Sequence, residues 1–193
     1  MPFGSWQKWE PCLKTPASYW LMKSEPEAFS IDDLKRKQRE AWDGVRNYQA
    51  RNFMRDDMRP GDHVFFYHSN CALPGIVGIA EVATDAYPDP TQFDPKSTYF
   101  DPASTRGSPR WMLVDVTFVR KLKRTISLDE LKQHAALSGM ALLRKGNRLS
   151  VMPVEPAHWR YILGIESDHI PHHEQPTSRE ATHGQRQRKA PGR

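Results

Sequence analysis

The chain has 193 residues, 38% of them apolar, a formal charge of +5 and a mean hydropathy of -0.73. That is the size of one domain with tails and holds enough apolar residues for one core. No stretch approaches the ~20 apolar residues of a membrane-spanning helix, and Cys12 and Cys71 stand in no metal-ligand or disulfide-scaffold spacing.

Residues 1–18 form a leader of Pro, Ser and Lys around two Trp, and its lack of a continuous apolar run argues against a signal peptide. YWLMK from Tyr19 reads as a short buried strand. Ser30 followed by Asp33 is a capping-box variant and predicts a helix over residues 31–40. Asn47 is a good N-cap for a helix over residues 48–58. Pro60-Gly61-Asp62 turns the chain into two strands rich in β-branched and aromatic residues, at 62–69 and 75–87.

Residues 88–110 form a long Pro/Asp/Ser/Thr loop. A loop of that length in a compact domain is usually functional or disordered. Residues 110–122 return to strand, with Met112, Val114, Val116 and Phe118 on one face. Ser127 with Glu130 opens a helix over 128–137, LSVMPV is a further short strand, and Pro156 starts a last helix to about Leu163. Residues 167–193 read as a disordered tail. It holds five Lys/Arg and three Asp/Glu, so the positive excess is spread along the chain rather than gathered in a basic arm. The domain is expected to span 19–166, with a fold of α+β class: a small, mainly antiparallel β-barrel with peripheral helices.

WDGVRNYQARNFMR, from Trp42 to Arg55, carries the strongest functional signal. Trp42 and Tyr48 offer faces for stacking, Asn47 and Arg51 offer forked donors, and Arg46, Arg51 and Arg55 offer charge for phosphate. Bases are recognised by that combination. The bland reading is a Trp that packs and Arg residues that are solvated. Lys23-Ser24-Glu25 ends the first strand. It fits the polar edge of a base, a hydrolytic site with Lys23 and Glu25, or a plain turn at Glu25-Pro26-Glu27. Tyr67, His68, Ser69 and Asn70 end the next strand and are placed for polar contacts to a ligand. Tyr99-Phe100 in the long loop either closes over a ligand as a lid or anchors the loop.

Six segments in this order, YWLMKSEPE, WDGVRNYQARNFMR, FFYHSN, GIVGIAEV, PRWMLVDV and RLSVMPV, resemble the EVE domain family of PUA-like barrels over residues 19–165. The order of elements is also similar to that of YTH domains, which hold a methylated adenine in an aromatic cage. The resemblance implies a non-catalytic reader of modified bases, methylated or hydroxymethylated cytosine in DNA or a modified RNA base, without cofactor or metal. By the same resemblance Trp42 matches a cage tryptophan, Ser24 and Glu25 lie at the polar end of the first strand beside the pocket, and Asn47, Tyr67 and Ser69 lie on segments that line it. The resemblance leaves one alternative, a PUA-like hydrolase or ribonuclease of the ASCH type using Lys23 and Glu25. The expected partner is nucleic acid carrying a modified base. The expected location is the reducing cytoplasm, or the nucleus in a eukaryote.

Overall fold

The computed structural model describes residues 17–167. Most of the expected leader and tail, and Cys12, lie outside it. Nine elements precede the long loop's end: β1 (Tyr19–Ser24), α1 (Ile31–Lys37), β2 (Arg39–Ala41), α2 (Tyr48–Asn52), a π-turn (Phe53–Asp57), β3 (His63–His68), β4 (Gly75–Val82), β5 (Tyr87–Pro88) and a 3-10 turn (Pro90–Phe93). Then come β6 (Met112–Leu113), β7 (Asp115–Ser127), α3 (Leu128–Gln133), β8 (Val151–Pro153) and α4 (Pro156–Glu166), with short 3-10 turns between α3 and β8.

Six strands form one sheet in the order β2-β7-β4-β3-β1-β8. All pairs are antiparallel except β1 with β3. Those two run parallel because α1, β2 and α2 form the crossover between them, as parallel neighbours require. The sheet curls into a half-barrel, and its register shifts at Phe66/Tyr67, Ile76/Gly78 and Ile79/Ala80 mark irregularities of the kind that bend strands. The small β-barrel with peripheral helices read from the sequence is thus present as a curled, mostly antiparallel sheet. β5 and β6 make a separate two-stranded ribbon.

Both faces of the sheet are covered, so its central strands are apolar on both sides. Trp20, Met22, Val64 and Phe66 point into one core cluster with Leu34, Met54 and Val116. Leu21, Phe65 and Tyr67 point into the other, under α4. There Trp159 stacks on Phe65 with ring centroids 3.8 Å apart. α1 can lie close on the sheet because Gly78 has no side chain: a Cβ there would meet Ile31 Cδ1 at 2.6 Å. Asp62 is a buried carboxylate, but it accepts hydrogen bonds from Ser18 N, Trp20 Nε1 and Arg59 N, all within 2.9 Å. It therefore fastens the start of β1 to the turn before β3.

Several expected boundaries differ. The helix expected over 31–40 ends at Lys37, because Gln38 adopts φ 67 and Arg39–Ala41 pair with β7 as β2. The helix expected over 48–58 is α-helical only to Asn52 and then widens into the π-turn. The strand expected over 110–122 is interrupted at Val114, whose carbonyl accepts from Trp42 N. The long loop is ordered by β5, the 3-10 turn and their contacts. The helix expected over 128–137 ends at Gln133, and α4 runs on to Glu166. Glu166 is held there by both arms of Arg120 at 2.7 Å and by Lys123 N.

Candidate functional site

A cavity of about 610 Å³ opens where the end of β1 faces the segment from β2 to α2. Its position follows from local structure. Ser30 and Asp33 cap α1 reciprocally, which fixes the turn carrying Phe29. Ser24 Oγ donates to Phe29 O at 2.8 Å and ties that turn to the strand end. Opposite, β2 pairs with β7 and Trp42 N donates to Val114 O at 2.9 Å, which delivers the Trp42 indole to the cavity wall. Gly44 follows with φ +74, a conformation that glycine adopts without strain. A Cβ there would meet the Tyr99 ring at 2.7 Å, so Gly44 also lets the long loop close down on the site.

Asp89 holds this arrangement together. Its side chain is 1% exposed. It accepts from Gly44 N at 3.0 Å, Arg46 Nη1 at 2.8 Å, and Thr91 N and Oγ1 at 2.8 and 2.6 Å. Burial pushes the Asp89 carboxyl up, but the bonds from Arg46, Thr91 and Gly44 outweigh it and hold the group below the ordinary carboxylate range. Asp43, at the cavity, shows the reverse. Partial desolvation, then the charges of Asp89 and Glu40, raise its pKa against the opposing pull of Arg46 and Lys37. Its carboxylate accepts no hydrogen bond among the described residues and is therefore open to a ligand.

Of the residues singled out in the sequence, Lys23, Ser24, Glu25, Trp42, Arg46 and Tyr99 line the cavity. Asn47, Tyr67 and Ser69 do not. Asn47 is engaged as the N-cap of α2, accepting from Ala50 N at 3.0 Å. Tyr67 points to the opposite face of the sheet, because neighbouring strand residues alternate. Ser69 lies behind Ser24, donating its backbone N–H to Ser24 O. Phe100 is exposed beside Tyr99 but does not line the cavity.

Trp42 is not the loosely held loop residue its polar neighbours suggest. It is 7% exposed and belongs to the core, packing edge-on against Phe66 at 5.4 Å. It is wall and core at once. Arg46 is likewise bound within the protein, to Asp89, Thr91 and the carbonyls of Val45 and Tyr99. Arg55 pairs with Asp56 at the surface. Arg51 donates to Asn52 and to the Arg110 carbonyl and lies 5.1 Å from the Tyr48 ring. Burial, then the nearby Arg55 charge, lower the Arg51 pKa from an ordinary value high enough to leave it charged.

Lys23 follows the same strand alternation as Tyr67. Its ammonium sits 5.9 Å from the Tyr67 ring centroid. Burial lowers its pKa, and burial, then Cys71 and Asp129, push Tyr67 up to about 12. Lys23 borders the cavity together with Ser24 and Glu25, while its ammonium lies toward the Tyr67 ring. Among the described residues no group of three or more His, Cys, Asp or Glu could hold a metal ion. Likewise no described helix is long and apolar enough to cross a membrane.

The sequence reading missed Asp43, Glu40, Lys37, Phe29 and Asp89. Asp43 and Glu40 sit in or beside a motif that was read for its aromatic residues, its arginines and Asn47, not for its carboxylates. Asp89 did have a local signal: Asp-Pro-Thr is an N-cap with Pro at the first position.

A profile described as the EVE domain matches residues 18–165. Human thymocyte nuclear protein 1 is 47% identical over 174 residues, covering 80% of this chain and 76% of that protein. Among solved structures, a Pseudomonas syringae protein is 51% identical with a TM-score of 0.75, covering 77% of this chain and 99% of that one. Human THYN1 solved in complex with 5-methylcytosine-containing DNA is 46% identical with a TM-score of 0.72, covering 78% of this chain and 98% of that one. This chain belongs to the EVE domain family.

Proposed function

We propose that this domain binds nucleic acid through a 5-methylcytosine held in the cavity beside Trp42, and that the nucleic acid is DNA. The observation that carries the reading is the human relative's complex with 5-methylcytosine-containing DNA, at 46% identity over 78% of this chain. The cavity supports it. Its volume falls within the range of about 300–1,000 Å³ typical of small-ligand sites. Phe29 and Trp42 supply aromatic wall, and Glu25, Glu40 and Asp43 supply carboxylates. Carboxylates suit the exocyclic amine of cytosine, which donates. Asp43, unpartnered and raised in pKa, is the acceptor we assign to it.

The energetics are those of a selective but modest reader. Extruding a base from duplex costs a few kcal/mol, and aromatic stacking returns about 1–3 kcal/mol. A buried methyl adds about 0.8 kcal/mol, roughly fourfold in affinity at room temperature. Backbone contacts from Arg51 supply salt-sensitive attraction, with a smaller share from Arg55 because Asp56 already pairs with it. The protein acts where such nucleic acid is found, inside the cell. NMR titration with 5-methyl-2′-deoxycytidine tests the assignment. Shifts centred on the Trp42 indole, Phe29 and Gly44 are expected; shifts confined to other faces of the domain would refute it.

A further inference from the structure

Beside the cavity, across Arg46, lies an aromatic deck that the pocket does not use. The Tyr48 ring stacks on Trp111, with centroids 4.9 Å apart and planes within 24°. Trp111 is buried, its Nε1 donates to Asp101 at 2.7 Å, and its backbone N donates to Gln92, so the lower ring of the deck is fixed. Tyr48 above it is 48% exposed, an unusual position for an aromatic ring with a rigid support.

The two neighbouring arginines flank the deck and do not cover it. Arg51 Cζ is 5.1 Å from the Tyr48 centroid and 5.9 Å from that of Trp111. Those two distances are nearly equal, which places the guanidinium at the side of the stack. A cation on the outer face of Tyr48 would be far closer to Tyr48 than to Trp111. Arg110 Cζ lies 5.7 Å from the Tyr48 centroid, but the guanidinium donates to the Tyr48 hydroxyl and pairs with Asp101 at 3.3 Å, which holds it at the oxygen end of the ring. The outer face of Tyr48 is left to solvent, bordered by two cations.

Arg46 links this deck to the cavity. It lines the cavity, yet its Cζ lies 5.4 Å from the Trp111 ring. We propose that the outer face of Tyr48 is a second subsite, which stacks the unpaired base adjoining the one in the cavity while Arg51 and Arg110 meet the intervening phosphate. The partner is therefore a strand locally free of its complement: an exposed π-face with cationic borders matches an unstacked base and its phosphate. A duplex would first have to surrender two stacked bases rather than one. This inference rests on the proposed base-binding role of the cavity.

The test uses wild type, Tyr48→Ala and Tyr48→Phe. The ligands are 5-methyl-2′-deoxycytidine, a short single strand with one 5-methylcytosine between thymines, and the same strand with the thymine on each side in turn replaced by an abasic site. We expect Tyr48→Ala to weaken the thymine-flanked strand about tenfold, the scale of one lost base–aromatic stack. Tyr48→Phe should retain binding, and neither variant should change affinity for the nucleoside. Removing one flanking base should weaken wild type to the level of Tyr48→Ala and leave Tyr48→Ala unaffected. If wild type binds the thymine-flanked and abasic strands alike while still taking the nucleoside, the second subsite is refuted and the cavity reading stands. If wild type takes neither the nucleoside nor any strand, both fall.

Discussion

Arg46 Nη1 lies 2.8 Å from Asp89 Oδ2, and this buried ion pair joins the segment that carries Trp42 to the long loop that carries Tyr99. The pair makes two distant stretches of chain into one wall of the cavity. Asp89 also accepts from Gly44 N and Thr91, and Arg46 also donates to Thr91 and to the carbonyls of Val45 and Tyr99, so the pair is the centre of a wider network.

Asp89→Ala should therefore destabilise the domain by about 3–5 kcal/mol, because it leaves the Arg46 charge without its buried partner. Denaturant unfolding checks this. The pH dependence has a fixed sign. Asp89 is held below the ordinary Asp value of about 3.9 in the folded state, so its stabilisation is complete above that value. It is lost as pH falls through the depressed folded value. Wild type should thus lose stability on acidification from about pH 5 downward more steeply than the variant.

Trp42→Ala should cost about 3–5 kcal/mol of stability, as expected for removing a core indole. A loss of binding in that variant would be ambiguous. Trp42→Phe keeps an aromatic ring against Phe66, so it should unfold close to wild type and still bind modified base more weakly. Thermal melts beside nucleoside titrations separate the two contributions.

Asp43→Asn should flatten the pH dependence of binding. The free Asp43 carboxyl is raised by partial desolvation and by Asp89 and Glu40, with Arg46 and Lys37 opposing. A base amine that donates to the carboxylate favours its charged form, so wild-type affinity should rise with pH through the titration of Asp43 and then level off. The sign for stability is opposite: a raised carboxylate costs stability above its folded pKa, so the unliganded variant should be slightly more stable at neutral pH. Calorimetric titrations between about pH 4 and 8 cover the range set by ordinary Asp and the raised value.

Much of the fold was legible. The apolar and aromatic runs of β1, β3 and β4 and the caps at Ser30, Asn47 and Ser127 all report on neighbours a few residues away. β2 was not legible, since Arg39-Glu40-Ala41 shows no strand pattern and pairs only because β7 passes beside it. The break at Val114 depends likewise on Trp42, far away in sequence. In the site, the WDG motif pointed to the cavity because a Trp and a left-handed Gly leave a local signature. Tyr67 was expected to contact a ligand but packs on the face away from the cavity, for strand alternation in a bulged strand fixes the side only once the register is known. The roles of Asp43 and Asp89 come from charges and donors brought together by folding.

Arg51→Ala should weaken binding to all sequences alike and reduce the dependence of log affinity on log salt by about 0.7–0.9, the value of one phosphate contact. Arg55→Ala should do less, because Asp56 already neutralises that guanidinium. Affinities measured at two salt concentrations distinguish the two residues.

Titration of the wild-type domain with two otherwise identical oligonucleotides, one carrying a single 5-methylcytosine and the other cytosine, shows whether the cavity beside Trp42 reads the methyl group. The methylated strand should bind more tightly by at least the roughly fourfold that burial of one methyl supplies, with a smaller difference in Trp42→Phe. Equal affinity for the two strands, unchanged in Trp42→Phe, would contradict that role of the cavity.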